Sequence, residues 1–254
     1  MGTTGNHEVL KKQTKRGKQL TKEKYFNMAK KSNEKAEIFI YGYIFSEPFR
    51  MEDETSAISF KKELDALGDV KQIDIHINSG GGMVFEGLAI YNMLKRHKST
   101  INVYIDGLAA SAASVIAMAG DTVYMPENSF LMIHNALVTT TGNHHDLRKE
   151  ADTLENLTES LKTAYMDKGI IVSKEELTRL MDEETWLDAK KAIGLGFADE
   201  MLQPMKAVAS IDKDILNKYQ NVPVDLEAKL NSGPKVEEKK KNKLNAAARA
   251  FLNL

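Results

Sequence analysis

The sequence predicts an α/β domain whose strands pair largely in parallel. Three observations carry this. Short β-branched or apolar runs alternate with helical stripes in the order strand, glycine turn, helix, strand, helix, strand. The strand at Ile73, Ile75 and Ile77 alternates apolar with polar residues, all three apolar ones β-branched. A glycine run, Gly80-Gly81-Gly82, stands where a strand hands over to a helix.

The elements follow in order. Residues 1–35 hold few apolar positions and no sustained period, so they read as mobile or weakly helical. From Glu37, Ile38, Ile40 and Ile44 share one strand face, with Phe39, Tyr41 and Tyr43 on the other. A run apolar on both faces suits a buried strand. Ile58, Leu64 and Leu67 suit a helix over 56–67. After the glycine run, Val84, Leu88, Tyr91 and Leu94 give a helical stripe to about Lys98. A strand over Ile101–Ile105 is expected to end at Asp106-Gly107, before an Ala- and Ser-rich helix over 111–119. Strands at Thr122–Met125 and Phe130–His134 come next. Residues 144–168 read as one long amphipathic helix with Leu147, Leu154 and Leu161 in a row. Ser173 and Glu176 make a capping box for a short helix, and Asp188 caps another ending near Gly194. Prolines then gather, and the domain is expected to end near 205. The organisation is thus a basic segment 1–35, a domain 36–205, and a linker with a Lys-rich tail over 206–254.

Composition narrows the function. The chain has no cysteine, which excludes a disulfide scaffold, a cysteine-ligated metal centre and a cysteine nucleophile. This suits a reducing compartment. The longest nearly apolar stretch, Leu108 to Gly120, has 13 residues, short of the roughly 20 a membrane span needs. The N-terminus has no apolar secretory core, so a cytoplasmic location is expected. The net charge of −1 hides tails of +7 (residues 1–35) and +5 (228–254) around a body of −13. Such tails are solvated ends or docking elements for acidic partners.

Two places invite chemistry. In Gly107-Leu108-Ala109-Ala110-Ser111-Ala112, a serine follows a strand and opens a helix of small residues. Backbone N–H groups there favour a developing anion. The G-x-S-x-G elbow pattern is absent, and Ser111 and Ser114 read equally as small residues at a close helix contact. Ile77-Asn78-Ser79-Gly80-Gly81-Gly82 could cradle an anion or line an oxyanion hole, or simply turn tightly; it lacks the P-loop ending. Of six histidines, only His134 ends a strongly apolar strand, where functional side chains emerge from sheets. His76 alternates away from its isoleucines. His144, His145 and Asp146 have no second ligand pair and read as solvent-facing, so no metal site is expected.

Taken together these motifs resemble the Clp protease proteolytic subunit family, and more closely its phage prohead-protease-like members, from about Ile38 to Leu202. Ile77–Gly82 is similar to I-N-S-P-G-G, Gly87–Tyr91 to G-x-x-I-Y, Gly107–Ser111 to G-x-A-A-S, Met132-Ile133-His134 to M-I-H, and Ala189–Asp199 to A-x-x-A-x-x-x-G-x-x-D. The resemblance implies a crotonase-like, ClpP-type spiral of ββα units, with residues 144–168 as a protruding handle helix. It implies Ser111 as nucleophile, His134 as general base, and the backbone N–H groups of Gly82 and Ala112 as the oxyanion hole. The family acid, two residues before an aromatic, falls on Glu184 before Trp186, with Asp182 as rival. No cofactor is implied.

The implied partners are further copies of the chain in a ring, heptameric and stacked in pairs, and a protein substrate. That substrate would be a scaffold or capsid protein in phage head maturation, within a procapsid in the host cytoplasm. The alternative is a degradative chamber fed by a Clp-type ATPase. The sequence departs from the family at Gly80 (for proline), at Asn135-Ala136 (for Gln-Pro), and in residues 1–35, where the gate-forming pattern is not recognisable. Two other classes stand as rivals. One is a crotonase-type acyl-CoA enzyme, which would need an acidic pair and a basic phosphate site. The other is a catalytically silent ring or capsid-assembly scaffold.

Overall fold

The computed structural model describes residues 26–32, 34–47, 54–203, 216–224 and 226. Its frame is an eight-stranded sheet. β1 (Phe26–Lys30), β2 (Lys35–Tyr41), β3 (Gln72–Ser79), β4 (Thr100–Ala110), β5 (Thr122–Pro126) and β8 (Glu200–Leu202) lie side by side in the order β1-β2-β3-β4-β5-β8. All neighbours on this path are parallel except β1 and β2. β6 (Phe130–Ile133) branches from β4 in parallel, and β7 (Thr185–Asp188) pairs antiparallel with β6.

One sheet face is the core. Ile38, Ile40, Ile73, Ile75, Ile77, Val103, Ile105 and Val123 are fully buried on it. α1 (Ala57–Leu67) covers it with Phe60, Leu64 and Leu67; α2 (Val84–Lys95) adds Ile90, Tyr91 and Leu94. Every residue of α3 (Ala112–Ala117) is buried. The opposite face carries an aromatic ladder in which Phe39, His76, Tyr104 and Tyr124 stack ring on ring, 4.7–5.0 Å apart. Phe39 and His76 therefore face away from the isoleucines, as the period of two requires. Asp74, on the ladder face, is buried beneath an ion pair with Lys35 at 2.6 Å.

α4 (His144–Lys168) has the expected bounds. Asn143 caps it, accepting from the His145 N–H at 2.8 Å, and Gly169 ends it in a left-handed conformation. α5 (Lys174–Asp182) is capped by Ser173, and α6 (Ala189–Leu195) by Asp188.

Three findings depart from the sequence reading. β1 lies inside the stretch 1–35 expected to be mobile or weakly helical; it forms by pairing with β2, a tertiary cause that no local period records. β4 does not stop at Asp106-Gly107 but runs to Ala110. Gly107 lets the Asn78 side chain lie against it, and the Asn78 Oδ1 accepts the Leu108 N–H at 3.2 Å. Beyond that point β4 changes partner, from β5 at residues 102–104 to β6 at 108–110. Finally, Leu216, Tyr219, Val222 and Leu226, within the expected linker and tail, pack with Leu108, Met132 and Trp186 in a second apolar cluster. The tails 1–25 and 227–254, and the charges they carry, lie outside the described residues.

Candidate active site

Ser111 sits where β4 passes into α3, with φ 55° and ψ −127°. A non-glycine residue there carries strain of about 1–3 kcal/mol. Surrounding bonds hold it: the Ser111 N–H donates to the Met132 carbonyl at 3.0 Å, and its own carbonyl accepts the Ser114 N–H at 2.9 Å and the Ser114 hydroxyl at 2.6 Å. The chain thus forms a strained strand-to-helix elbow without the glycine spacing that marks one in sequence. Ser114 is fully buried and its hydroxyl also pairs with the Tyr165 hydroxyl at 2.7 Å. The two serines are therefore distinct: Ser114 is locked into the packing, and Ser111 faces the site.

β6 delivers the histidine. Because Ala110 pairs with Met132, the chain leaving β6 emerges beside the elbow. The His134 Nε2 lies 2.7 Å from the Ser111 Oγ, within hydrogen-bond reach for proton transfer. Burial pushes the imidazole below its usual range, and the negative charge of Glu184 pulls the other way without cancelling it. The ring is thus kept in its neutral, proton-accepting form.

β7 delivers the acid. Ile133 pairs with Thr185, so one further step along this antiparallel register sets Glu184 opposite His134. Glu184 has φ 49°, the second strained non-glycine residue among those described. Its Oε1 accepts the backbone N–H groups of Gln220 and Asn221, each at 2.8 Å, and the Trp186 Nε1–H at 3.4 Å. Among the described residues no hydrogen bond joins it to His134. Asp182, the rival, instead accepts the Asn135 side-chain amide at 2.7 Å. Of these two carboxylates, Glu184 is the one whose charge acts on the imidazole.

The glycine turn closes the site. Gly81 (φ 85°) lies so near the elbow that a Cβ there would meet the Ala110 carbonyl oxygen at 2.6 Å and the Ser111 Cβ at 2.7 Å. Ile44 bridges to Gly82, donating to the Gly81 carbonyl and accepting from the Met83 N–H. This pattern uses the groups on either side of Gly82 and leaves its own N–H without a partner among the described residues, as is that of Ala112. Gly87 of α2 lets the Ala112 Cβ approach closely, fixing the start of α3 against this turn. A tether holds this turn: the Ser79 hydroxyl donates to the Gly42 carbonyl at 2.5 Å and accepts the Gly81 N–H at 3.0 Å.

Tyr219 also enters the site, and the sequence reading missed it. Its hydroxyl donates to the Gly80 carbonyl and interacts with the Ser111 hydroxyl, and its ring stands edge-on to His134 with centroids 5.5 Å apart. The available signal was the apolar spacing Leu216, Tyr219, Val222, Leu226 inside an otherwise polar tail. His144 and His145 are exposed at the start of α4, as expected. Among the described residues no group of three or more His, Asp and Glu side chains could hold a metal ion, and no helix is long and apolar enough to cross a membrane.

A hydroxyl beside a neutral imidazole, a nearby carboxylate and two unpartnered N–H groups form an arrangement suited to nucleophilic acyl transfer. The fold and the comparisons make the class specific: the chain belongs to the Clp protease family, whose model (Clp protease) matches residues 21–205. It is 32% identical over 142 residues to the ATP-dependent Clp protease proteolytic subunit of Deinococcus radiodurans, covering 55% of this chain and 69% of that one. It is 31% identical over 144 residues to the protein of that name from Streptococcus mutans, covering 55% and 73%. A cyanobacterial relative from Synechococcus, ATP-dependent Clp protease proteolytic subunit 1, is 29% identical over 153 residues, covering 58% and 76%. The parallel sheet with its flanking helices is the ClpP-type α/β architecture, and the chain is a member of a peptidase family.

Proposed function

We propose that the protein is a serine endopeptidase working through Ser111, His134 and Glu184. The observation that carries this reading is the 2.7 Å approach of His134 Nε2 to Ser111 Oγ at a strained elbow. His134 takes the Ser111 proton as Oγ bonds to a peptide carbonyl carbon. The carbonyl oxygen becomes an anion, held by the N–H groups of Gly82 and Ala112. As the C–N bond breaks, His134 returns the proton to the leaving amine, and water then repeats the sequence on the acyl-enzyme. Glu184 stabilises the imidazolium that forms at each step.

The test is labelling with a fluorophosphonate and mapping of the modified residue. Label on Ser111, lost in Ser111→Ala together with peptide hydrolysis, is the expected result. Label on Ser114, or hydrolysis surviving in Ser111→Ala, would reject it. The same label discriminates against an acyl-CoA enzyme and a silent scaffold, neither of which needs an activated serine.

For the biological setting, the names of the relatives favour a proteolytic subunit served by an ATPase. The procapsid setting is supported by the charge asymmetry of the chain and by the unrecognised gate pattern alone. Incubation with Clp-type unfoldases, ATP and a tagged folded substrate, beside candidate scaffold proteins, separates the two by which substrate is cut.

A further inference from the structure

Resting on the serine peptidase reading, we propose that residues 216–224 with Leu226 form a strap that occupies the substrate's position at Ser111, so that substrates bind only in competition with it. Its polar and apolar contacts place it there. The Tyr219 hydroxyl meets both the Gly80 carbonyl, in the turn beside the elbow, and the Ser111 hydroxyl. A scissile carbonyl carbon must come within about 3–3.5 Å of Oγ; His134 Nε2 lies 2.7 Å from that atom, and Tyr219 stands beside both, its ring against His134 and its hydroxyl on the Gly80 carbonyl. The strap's Gln220 and Asn221 N–H groups take the Glu184 Oε1, and the Asn221 side-chain amide donates to the Glu183 carbonyl at 2.9 Å. The carboxylate that would orient His134 is thus engaged by the strap. Leu216, Tyr219, Val222 and Leu226 fill the apolar surface of Leu108, Met132 and Trp186 beside the nucleophile.

The strap is also built to leave. Only Leu216 and Leu226 are deeply buried in it, whereas Asn217, Lys218, Gln220, Asn221 and Val224 are exposed. Two buried leucines, a half-buried Tyr219 and three exposed hydrogen bonds to Glu183 and Glu184 hold it, a segment short enough to open without unfolding the domain.

The experiment uses full-length protein, Tyr219→Ala and Leu216→Asp, with two readouts: the rate of fluorophosphonate labelling of Ser111 and kcat/KM on a short peptide. A strap closed nine-tenths of the time lowers apparent reactivity about tenfold, so both variants are expected to rise by about that factor. A synthetic peptide of residues 214–228 is expected to bring Leu216→Asp back down, competitively with substrate. Folded variants, checked by unfolding midpoint, whose rates stay unchanged or fall would overturn the strap while leaving the peptidase reading intact. Absence of Ser111 labelling in every form would overturn the peptidase reading itself, and the strap with it.

Discussion

Ser111 and Ser114 stand three residues apart on one turn, and their surroundings give them opposite consequences on truncation. Ser111→Ala removes the group next to His134 Nε2 and is expected to lower peptide hydrolysis by several orders of magnitude. Residual catalysis from the remaining site would stay roughly 10³–10⁴ over water. Ser114→Ala instead orphans the Tyr165 hydroxyl inside the core. It is expected to destabilise the fold by about 1–3 kcal/mol while Ser111 still takes the fluorophosphonate; denaturant unfolding and labelling read the two effects separately. His134 gives a pH signature. Burial lowers its pKa, and the proposed mechanism needs a neutral base, so the acid limb of kcat/KM is expected below the usual imidazole value of about 6.5. Glu184 pulls that pKa upward, so Glu184→Gln is expected to move the limb to still lower pH and to slow the reaction. A pH–rate profile in which the limb stays put or rises would show that the imidazole does not feel this carboxylate. Asp182→Asn, which changes an acceptor of the Asn135 amide, is expected to leave the limb where it is.

At the scale of elements, the site is a junction of four pieces: the end of β3 with its glycine turn, the β4–α3 elbow, the end of β6 and the start of β7. The glycine turn can be tested against a glycine elsewhere. Gly81→Ala forces a Cβ into backbone atoms at 2.6 Å while holding φ at 85°. A cost of about 1–3 kcal/mol or more is expected, with loss of labelling at Ser111. Gly194, inside α6, has open space around it, so Gly194→Ala is expected to be neutral or to stabilise by about 0.5–1 kcal/mol, since alanine is the better helix former. Equal effects of the two on unfolding midpoint would contradict the close approach at Gly81. The same four pieces explain what was legible in the sequence. β3, β6 and α4 carry their periods locally, so their bounds and the placing of His134 could be read from apolar spacing. The strand-to-helix elbow was legible from the serine's place at the head of α3, but its strain was not, because the positive φ falls on a serine and is enforced by bonds to Met132 and Ser114 rather than by glycines. β7 has four residues and exists because β6 offers an antiparallel edge. Without it, only the spacing to Trp186 favoured Glu184 over Asp182. Tyr219 was hidden for a related reason: its role depends on a fold-back over Trp186 and Met132 from far along the chain.

For the whole molecule, assembly turns on α4. It has 25 residues, about 37 Å at 1.5 Å per residue, but its buried positions run only from Thr158 to Tyr165. The row read from sequence is split accordingly: Leu161 is buried in the body, Leu154 is half-buried, and Leu147 is 46% exposed. With half its length off the described core, the helix offers the Leu147 end of that row as a contact surface. The polar residues around Leu147 keep the helix soluble but do not cover the leucine. We therefore expect α4 to pack against another copy of the chain, in a ring or between two stacked rings. Light scattering on the full chain is expected to give an integer multiple of 28.4 kDa. Leu147→Asp is expected to lower that multiple while leaving the unfolding midpoint of the subunit nearly unchanged, because among the described residues Leu147 belongs to neither buried cluster. Labelling of Ser111 in the same variant then reports whether assembly is needed for the site. The elbow is held by bonds within one chain, so the intrinsic rate is expected to persist even where the mass falls. A stable monomer for the unaltered chain across micromolar concentrations would rule out the assembly.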